Sequence, residues 1–128
     1  MLELSSTTNV LIVDSNKLAS KVLKLWLGMK NIPCKIVSNT IDAAKALEDE
    51  QFVKHLSLVI TDMYFSRGLS GKELADRVKS LNPSAFIVIV INKKVPVDIK
   101  LLSKLSGYKY IMYSALTAYT ESITRSVA

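Results

Sequence analysis

The stretch LVITDMYFSRGLSG, residues 58–71, decides the fold because an apolar run ends there in an acid and opens into a loop. The run at 58–61 is apolar or β-branched throughout, with no alternation of apolar and polar positions. Such runs are typical of strands that are covered on both faces, as in a parallel sheet. Similar or weaker runs occur at four other places, 9–14, 34–37, 86–91 and 110–113. The sequence therefore predicts five strands.

Five segments with helical spacing of apolar residues follow the strands in turn. In the first, the apolar stripe comprises Leu18, Val22, Leu25, Trp26 and Met29, and we expect this face to be buried. The second begins with Thr40 as its N-cap and continues to Phe52, the third stops at Asn82-Pro83, and the fourth and fifth cover 99–105 and 116–127. The alternation predicts an α/β fold in one domain, 1–128: a doubly wound, flavodoxin-like sandwich with a five-stranded parallel sheet of order 2-1-3-4-5.

Composition excludes several classes of protein. The 128 residues are 49% hydrophobic and 22% charged, and the single cysteine, Cys34, cannot form an internal disulfide. The longest apolar run, 85–91, is far shorter than the roughly 20 residues of a membrane helix, and no signal peptide is evident. We expect a soluble, cytoplasmic protein with no membrane association.

The net charge of +6 comes mainly from lysines spread along the chain, with no block longer than the Lys93-Lys94 pair. Nucleic-acid-binding proteins cluster their charge on one face. Dispersed lysine is more typical of a solubilising surface. Nucleic acid is therefore an unlikely partner, although a basic nucleic-acid-binding α/β domain remains an alternative from another functional class.

Acids close two of the predicted strands. Asp14 follows the first strand and Asp62 ends the third, and the order 2-1-3-4-5 makes these strands neighbours. Open α/β sheets bind ligands outside the carboxyl ends of their strands. Two carboxylates in one crevice require a cation between them or a proton on one of them. The plainer interpretation is that Asp14 and Ser15 cap the next helix and that Asp62 is a turn acid.

These features resemble the receiver domains of two-component response regulators, over most of the chain from Asn9 to about Val127. The resemblance rests on the following residues: Val13-Asp14, Asp62, Gly71-Lys72-Glu73-Leu74, Gly107 and Tyr110. It implies that Asp62 occupies the position that accepts a phosphoryl group from a histidine kinase. It also implies that a magnesium ion would be held by Asp62 and the neighbouring Asp14.

The sequence departs from the receiver pattern where the chemistry takes place. Ser15 stands in place of a second metal-binding acid, and Ile91 in place of the hydroxyl residue at the end of strand four. Tyr113-Ser114 replaces a Lys-Pro pair, and the loop after Asp62 is about one residue longer and lacks Met-Pro. Magnesium binding at Asp14 and Asp62 is therefore expected to be weak, and no cofactor is required. A phosphoryl group would lose most of its charge neutralisation.

The resulting hypothesis is an atypical receiver, or pseudo-receiver, that is not an enzyme and acts mainly through phosphorylation-independent protein contact. It would stand alone or form the amino-terminal part of a longer regulator, with a protein partner or an output domain. The main alternative is a working receiver that is phosphorylated at Asp62. We further predict that Arg67, Lys93 or Lys94 provides the counter-ion of the two acids in place of the lost lysine.

Three tyrosines, Tyr108, Tyr110 and Tyr113, recur through the fifth strand. They are consistent either with aromatic cover of an edge strand or with a contact surface, since tyrosine is enriched at interfaces. Together with the flanking helices at 99–105 and 116–127, this strand predicts a homodimer surface.

Overall fold

The computed structural model describes residues 8–92 and 108–113. Its elements are β1 (Asn9–Val13), α1 (Lys17–Met29), β2 (Cys34–Val37), α2 (Thr40–Ala46), α3 (Glu50–Lys54), β3 (Leu56–Asp62), α4 (Gly71–Leu81), β4 (Phe86–Asn92) and β5 (Lys109–Tyr113). The strands form one sheet of order β2-β1-β3-β4-β5, and every adjacent pair is parallel. The predicted fold class and strand order are confirmed. The helices predicted at 99–105 and 116–127 lie outside the described residues.

The core lies on both faces of the sheet because successive side chains of a strand point to opposite sides. In β1, Val10 and Ile12 pack against α1, whereas Leu11 and Val13 belong to the cluster shared with α2, α3 and α4. All four of these side chains are fully buried. The continuous apolar runs in the sequence are therefore explained by helices that cover the sheet on two sides.

The buried face of α1 differs from the one that the sequence predicted. The helix packs on the sheet through Ala19, Ser20, Leu23 and Leu27. The predicted stripe instead lies at the surface or at its margin: Leu18, Leu25 and Met29 are exposed, and Val22 and Trp26 are half-buried. Two apolar faces coexist on this helix, and periodicity alone did not show which one contacts the strands.

The segment predicted as one helix from Thr40 to Phe52 forms two short helices, because Asp49 begins a new one. The Asp49 carboxylate accepts hydrogen bonds from the backbone N–H groups of Gln51 and Phe52 at 3.0 and 3.2 Å, as an N-cap does. The N-cap of α2 is Asn39, which accepts from the N–H of Asp42, and not Thr40 as predicted. Thr40 is buried in the first turn of α2, and its side chain contacts the loop that follows Asp62.

The helices within residues 8–92 are all too short or too polar to cross a lipid bilayer.

Candidate functional site

An acidic crevice lies at the carboxyl edge of the sheet. The pairing of Val13 with Thr61 in neighbouring parallel strands places the residues that follow them, Asp14 and Asp62, at the same edge. Asp14 is buried, and Asp62 is half-buried. Burial raises the pKa of Asp62, and the charge of Asp14 raises it further. Hydrogen bonds from the backbone of Met63 and Tyr64 lower it in part, and the resulting pKa is about 7.

The turn between β1 and α1 holds Asp14 through the backbone. Its Oδ1 accepts a hydrogen bond from the N–H of Asn16 at 2.8 Å. The N-cap of α1 is Asn16, whose side chain accepts from the N–H groups of Leu18 and Ala19, both at 3.1 Å. The helix is therefore capped by neither Asp14 nor Ser15. Ser15 lies exposed at the rim of the crevice.

The loop after Asp62 is anchored to α2 by Thr40. The Thr40 hydroxyl lies 2.7 Å from the carbonyl oxygen of Leu69, to which it donates, and 3.4 Å from that of Arg67. Gly68, between these two residues, has φ +78°, and a Cβ there would meet Oγ1 of Thr40 and Cγ1 of Ile41. Glycine is thus required at this position for two reasons: the positive φ and the lack of space for a Cβ. Sequence inspection missed this anchoring role because a Thr at the start of a helix also fits an N-cap.

The other end of the loop is closed by Gly71. A Cβ at Gly71 would overlap the backbone carbonyl of Asp62, and the N–H of Gly71 donates to the carbonyl of Met63 at 2.9 Å. Ser70 is the N-cap of α4 and forms a capping box with Glu73. The helix therefore begins at Gly71, and this start also sets how closely α4 approaches Asp62.

A polar cleft of about 440 Å³ opens beside the crevice. Its lining residues are Ser15, Ser38, Asn39, Ile41, Tyr64, Phe65, Ser66 and Arg67. Arg67 is exposed, and its charge is not among the effects that shift the pKa of Asp62, so Arg67 does not pair with that acid. Two candidates for the predicted counter-ion of the acids therefore remain, Lys93 and Lys94. Both lie outside the described residues.

The end of β4 is one residue later than the sequence suggested. Ile91, which is predicted to stand in place of the hydroxyl residue of receivers, is fully buried in the cluster that contains Leu11, Val13 and Ile89. The strand continues to Asn92. The backbone ladder with β5 extends the strand one residue beyond the apolar run.

Strand β5 brings the tyrosines to the outer edge of the sheet. The backbone of Tyr113 pairs with Asn92, at the same carboxyl edge as the crevice. Tyr110 is 40% exposed. Tyr108 is half-buried, and its hydroxyl hydrogen-bonds the carboxylate of Asp76 on α4. Burial and the hydrogen bond and charge of Asp76 raise the pKa of Tyr108 to about 12.

The donor set fits magnesium only weakly. Among the described residues, no group of three or more His, Cys, Asp or Glu side chains converges. The crevice offers two carboxylates, Asp14 and Asp62, and Ser15 contributes at most a neutral oxygen. Magnesium can be bound through one or two carboxylates with water in its remaining positions. These residues would hold such an ion with few protein ligands.

Comparison with known proteins identifies the fold. No family model matches the sequence, and no curated protein matches it. Solved structures do match: a response regulator receiver domain protein from Clostridium thermocellum is 18% identical with a TM-score of 0.69, covering 94% of both chains. An orphan response regulator of H. pylori is 14% identical with a TM-score of 0.69, covering 97% of this chain and 99% of the other. A response regulator from Thermotoga maritima is 21% identical with a TM-score of 0.66, covering 94% and 98%. The chain has the receiver-domain fold.

Proposed function

We propose that this protein is an atypical receiver of two-component signalling, and that it acts mainly through protein contact that does not depend on phosphorylation. The fold supports the general class. The observation that supports the atypical character is the composition of the crevice, which pairs Asp14 and Asp62 but has Ser15 in place of a second metal-binding acid. Burial and the charge of Asp14 raise the pKa of Asp62 to about 7, so near neutral pH only about half of the molecules carry the ionised form, which is the nucleophile.

Charge neutralisation at this site is also reduced. Phosphoryl transfer depends largely on positioning and on cations that stabilise the transition state. Ser15 supplies no negative charge to hold magnesium, and Tyr113 follows the receiver pattern at the position of a lysine but has a neutral phenol. A charged partner is worth about 1.5–3 kcal/mol, so two such losses correspond to a rate lower by about a hundred-fold or more.

Ile91 weakens the readout of any phosphorylation. An isoleucine side chain has neither a hydrogen-bond donor nor an acceptor, so it cannot bond a phosphoryl oxygen as the hydroxyl of a receiver does. A phosphoryl group on Asp62 would therefore change the conformation of the domain little. We infer that partner binding is set by the resting conformation of the domain. The partner is a protein or an output domain that follows this one in a longer regulator.

A phosphodonor assay tests the proposal. Incubation with acetyl phosphate and magnesium should leave the intact mass of the protein unchanged, and Asp62→Asn should retain partner binding. The matched variant restores the pattern: Ser15→Asp combined with Tyr113→Lys should permit addition of a phosphoryl group, and the further change Asp62→Asn should abolish it. Stoichiometric phosphorylation of the unmodified chain at Asp62, with an altered oligomeric state or partner affinity, would overturn the proposal and restore the working receiver.

A further inference from the structure

The outward face of α1 combines exposed apolar residues with lysines. Leu18, Leu25 and Met29 are 59%, 70% and 84% exposed. Their spacing of seven and four residues aligns them along one side of the helix. Lys21 and Lys24 lie beside them, and with Leu25, Gly28 and Met29 they line a shallow depression. We call this surface the α1 outer face: Lys17, Leu18, Lys21, Lys24, Leu25 and Met29.

The charge around this face has one sign. The segment 15–41 contains five lysines, Lys17, Lys21, Lys24, Lys30 and Lys35, and no Asp or Glu. The excess positive charge of the chain is therefore concentrated on α1 and β2, although the lysines look dispersed when the whole sequence is inspected. A surface of this charge attracts an anionic partner and repels a second copy of itself.

The chemistry of the face distinguishes among anionic partners. Nucleic acids are bound through phosphate contacts that make no use of exposed Leu and Met side chains. Protein interfaces are enriched in Arg and depleted in Lys, whereas every cation of segment 15–41 is lysine. Apolar side chains that enter the headgroup region, flanked by lysines that attract anionic lipids, are typical of helices that lie on a membrane surface.

We propose that the α1 outer face docks the domain on an anionic phospholipid surface, with Leu18, Leu25 and Met29 entering the headgroup region and the lysines contacting lipid phosphates. The lysine stems can bend toward the phosphates while the apolar side chains go deeper. The proposal is independent of whether Asp62 is phosphorylated, so its test needs no phosphodonor and its failure would leave the proposed function untouched.

Vesicle binding can be measured through the fluorescence of a tryptophan that lies on α1. The chain's single tryptophan, Trp26, is half-buried on α1, with the Lys30 Nζ 5.5 Å from the ring centroid. The protein should show a blue-shifted tryptophan emission with vesicles of phosphatidylcholine containing about one third phosphatidylglycerol, and no shift with phosphatidylcholine alone. Binding should fall steeply as NaCl rises from about 0.05 to 0.5 M, since salt screens exposed charges.

Two pairs of variants locate the surface. Lys21→Gln with Lys24→Gln should weaken vesicle binding by about 25-fold, since each lysine contributes about five-fold. The matched control removes two exposed lysines elsewhere, Lys45→Gln with Lys54→Gln, and should change binding less than about two-fold.

The second pair tests the apolar contribution. Leu25→Ser should weaken vesicle binding by about ten-fold, whereas Leu81→Ser, at a similarly exposed position on α4, should not change it. Equal affinity for the two kinds of vesicle, or equal loss in test and control variants, would overturn the proposal. So would binding of an acidic helical peptide without binding of vesicles. A marked drop in thermal stability for Leu25→Ser would show that this side chain is covered in the folded protein, and would also overturn the proposal.

Discussion

Replacing Asp62 by asparagine should stabilise the protein strongly at pH 8, less at pH 5, and little below about pH 4. In the folded protein, burial and the charge of Asp14 raise the pKa of Asp62 from 3.8 to about 7. The folded state therefore holds the proton more tightly than the unfolded state does, and the free energy of unfolding falls as the pH rises through this interval. The cost of the ionised carboxylate is absent below about pH 4 and complete above about pH 7.

The magnitude follows from the two pKa values. A rise from 3.8 to about 7 corresponds to about 4 kcal/mol at full ionisation. Entry of water and movement of the exposed part of the loop reduce this, so we expect a gain of about 2–4 kcal/mol for Asp62→Asn at pH 8. The asparagine side-chain oxygen can still accept the hydrogen bond that the N–H of Met63 donates to Oδ1 at 3.0 Å.

The assay is urea unfolding of the wild-type protein and the variant from pH 5 to pH 8, in the presence of a chelator so that no divalent ion binds the acids. Asp76→Asn is the control, because this substitution should lower the free energy of unfolding, whereas Asp62→Asn should raise it. Burial is the largest single effect and raises the pKa of Asp76, but the hydrogen bonds from Lys72 and Tyr108 and the charge of Lys72 together lower it below its usual value, so this carboxylate favours the folded state. A wild-type stability that stays flat from pH 5 to pH 8 would refute the reasoning, because it would mean that a cation such as Lys93 or Lys94 already neutralises the crevice.

Three further outcomes test the surroundings of the site. Gly71→Ala should lower the free energy of unfolding by roughly 1–3 kcal/mol because the added Cβ would overlap the carbonyl of Asp62. Gly28→Ala has open space around the added Cβ and should raise the free energy of unfolding by about 0.5–1 kcal/mol. Urea unfolding measures both effects. Tyr108→Phe should raise the pKa of Asp76, which loses a hydrogen-bond donor; a carboxyl NMR titration with an unchanged midpoint would contradict this. If strand β5 is a homodimer surface, the protein should sediment as a dimer without phosphate and Tyr110→Ala should shift it toward monomer; a monomer at high concentration in both forms would count against the surface.

The sequence by itself determined the fold class. Uninterrupted apolar runs require cover on both faces, and strands that alternate with helices through short links leave few topologies other than a parallel sheet of order 2-1-3-4-5. The two acids at neighbouring strand ends follow from the same pattern, since the carboxyl ends of parallel strands meet at one edge. Asp14 and Asp62 were found in this way, without knowledge of their contacts.

The environment of the acids could not be obtained from residue types. The raised pKa of Asp62 depends on how deeply the strand end is buried and how near Asp14 lies, and both quantities are set by packing. The end of the fourth strand was likewise predicted one residue early: the apolar run ends at Ile91, but the ladder with β5 continues to Asn92. Hydrogen bonding to a neighbouring strand extends an element regardless of the polarity of its last side chain.

Tertiary structure also decided which face of α1 is buried. The helix has apolar residues around most of its circumference, and the sequence pattern favoured the stripe of Leu18, Leu25 and Met29. Contact with the sheet instead selected Ala19, Leu23 and Leu27. A strand surface covered by Val and Ile side chains accepts small residues and leucines at close approach, and the choice between two apolar faces depends on that fit, which is a property of the assembled sheet and not of the helix alone.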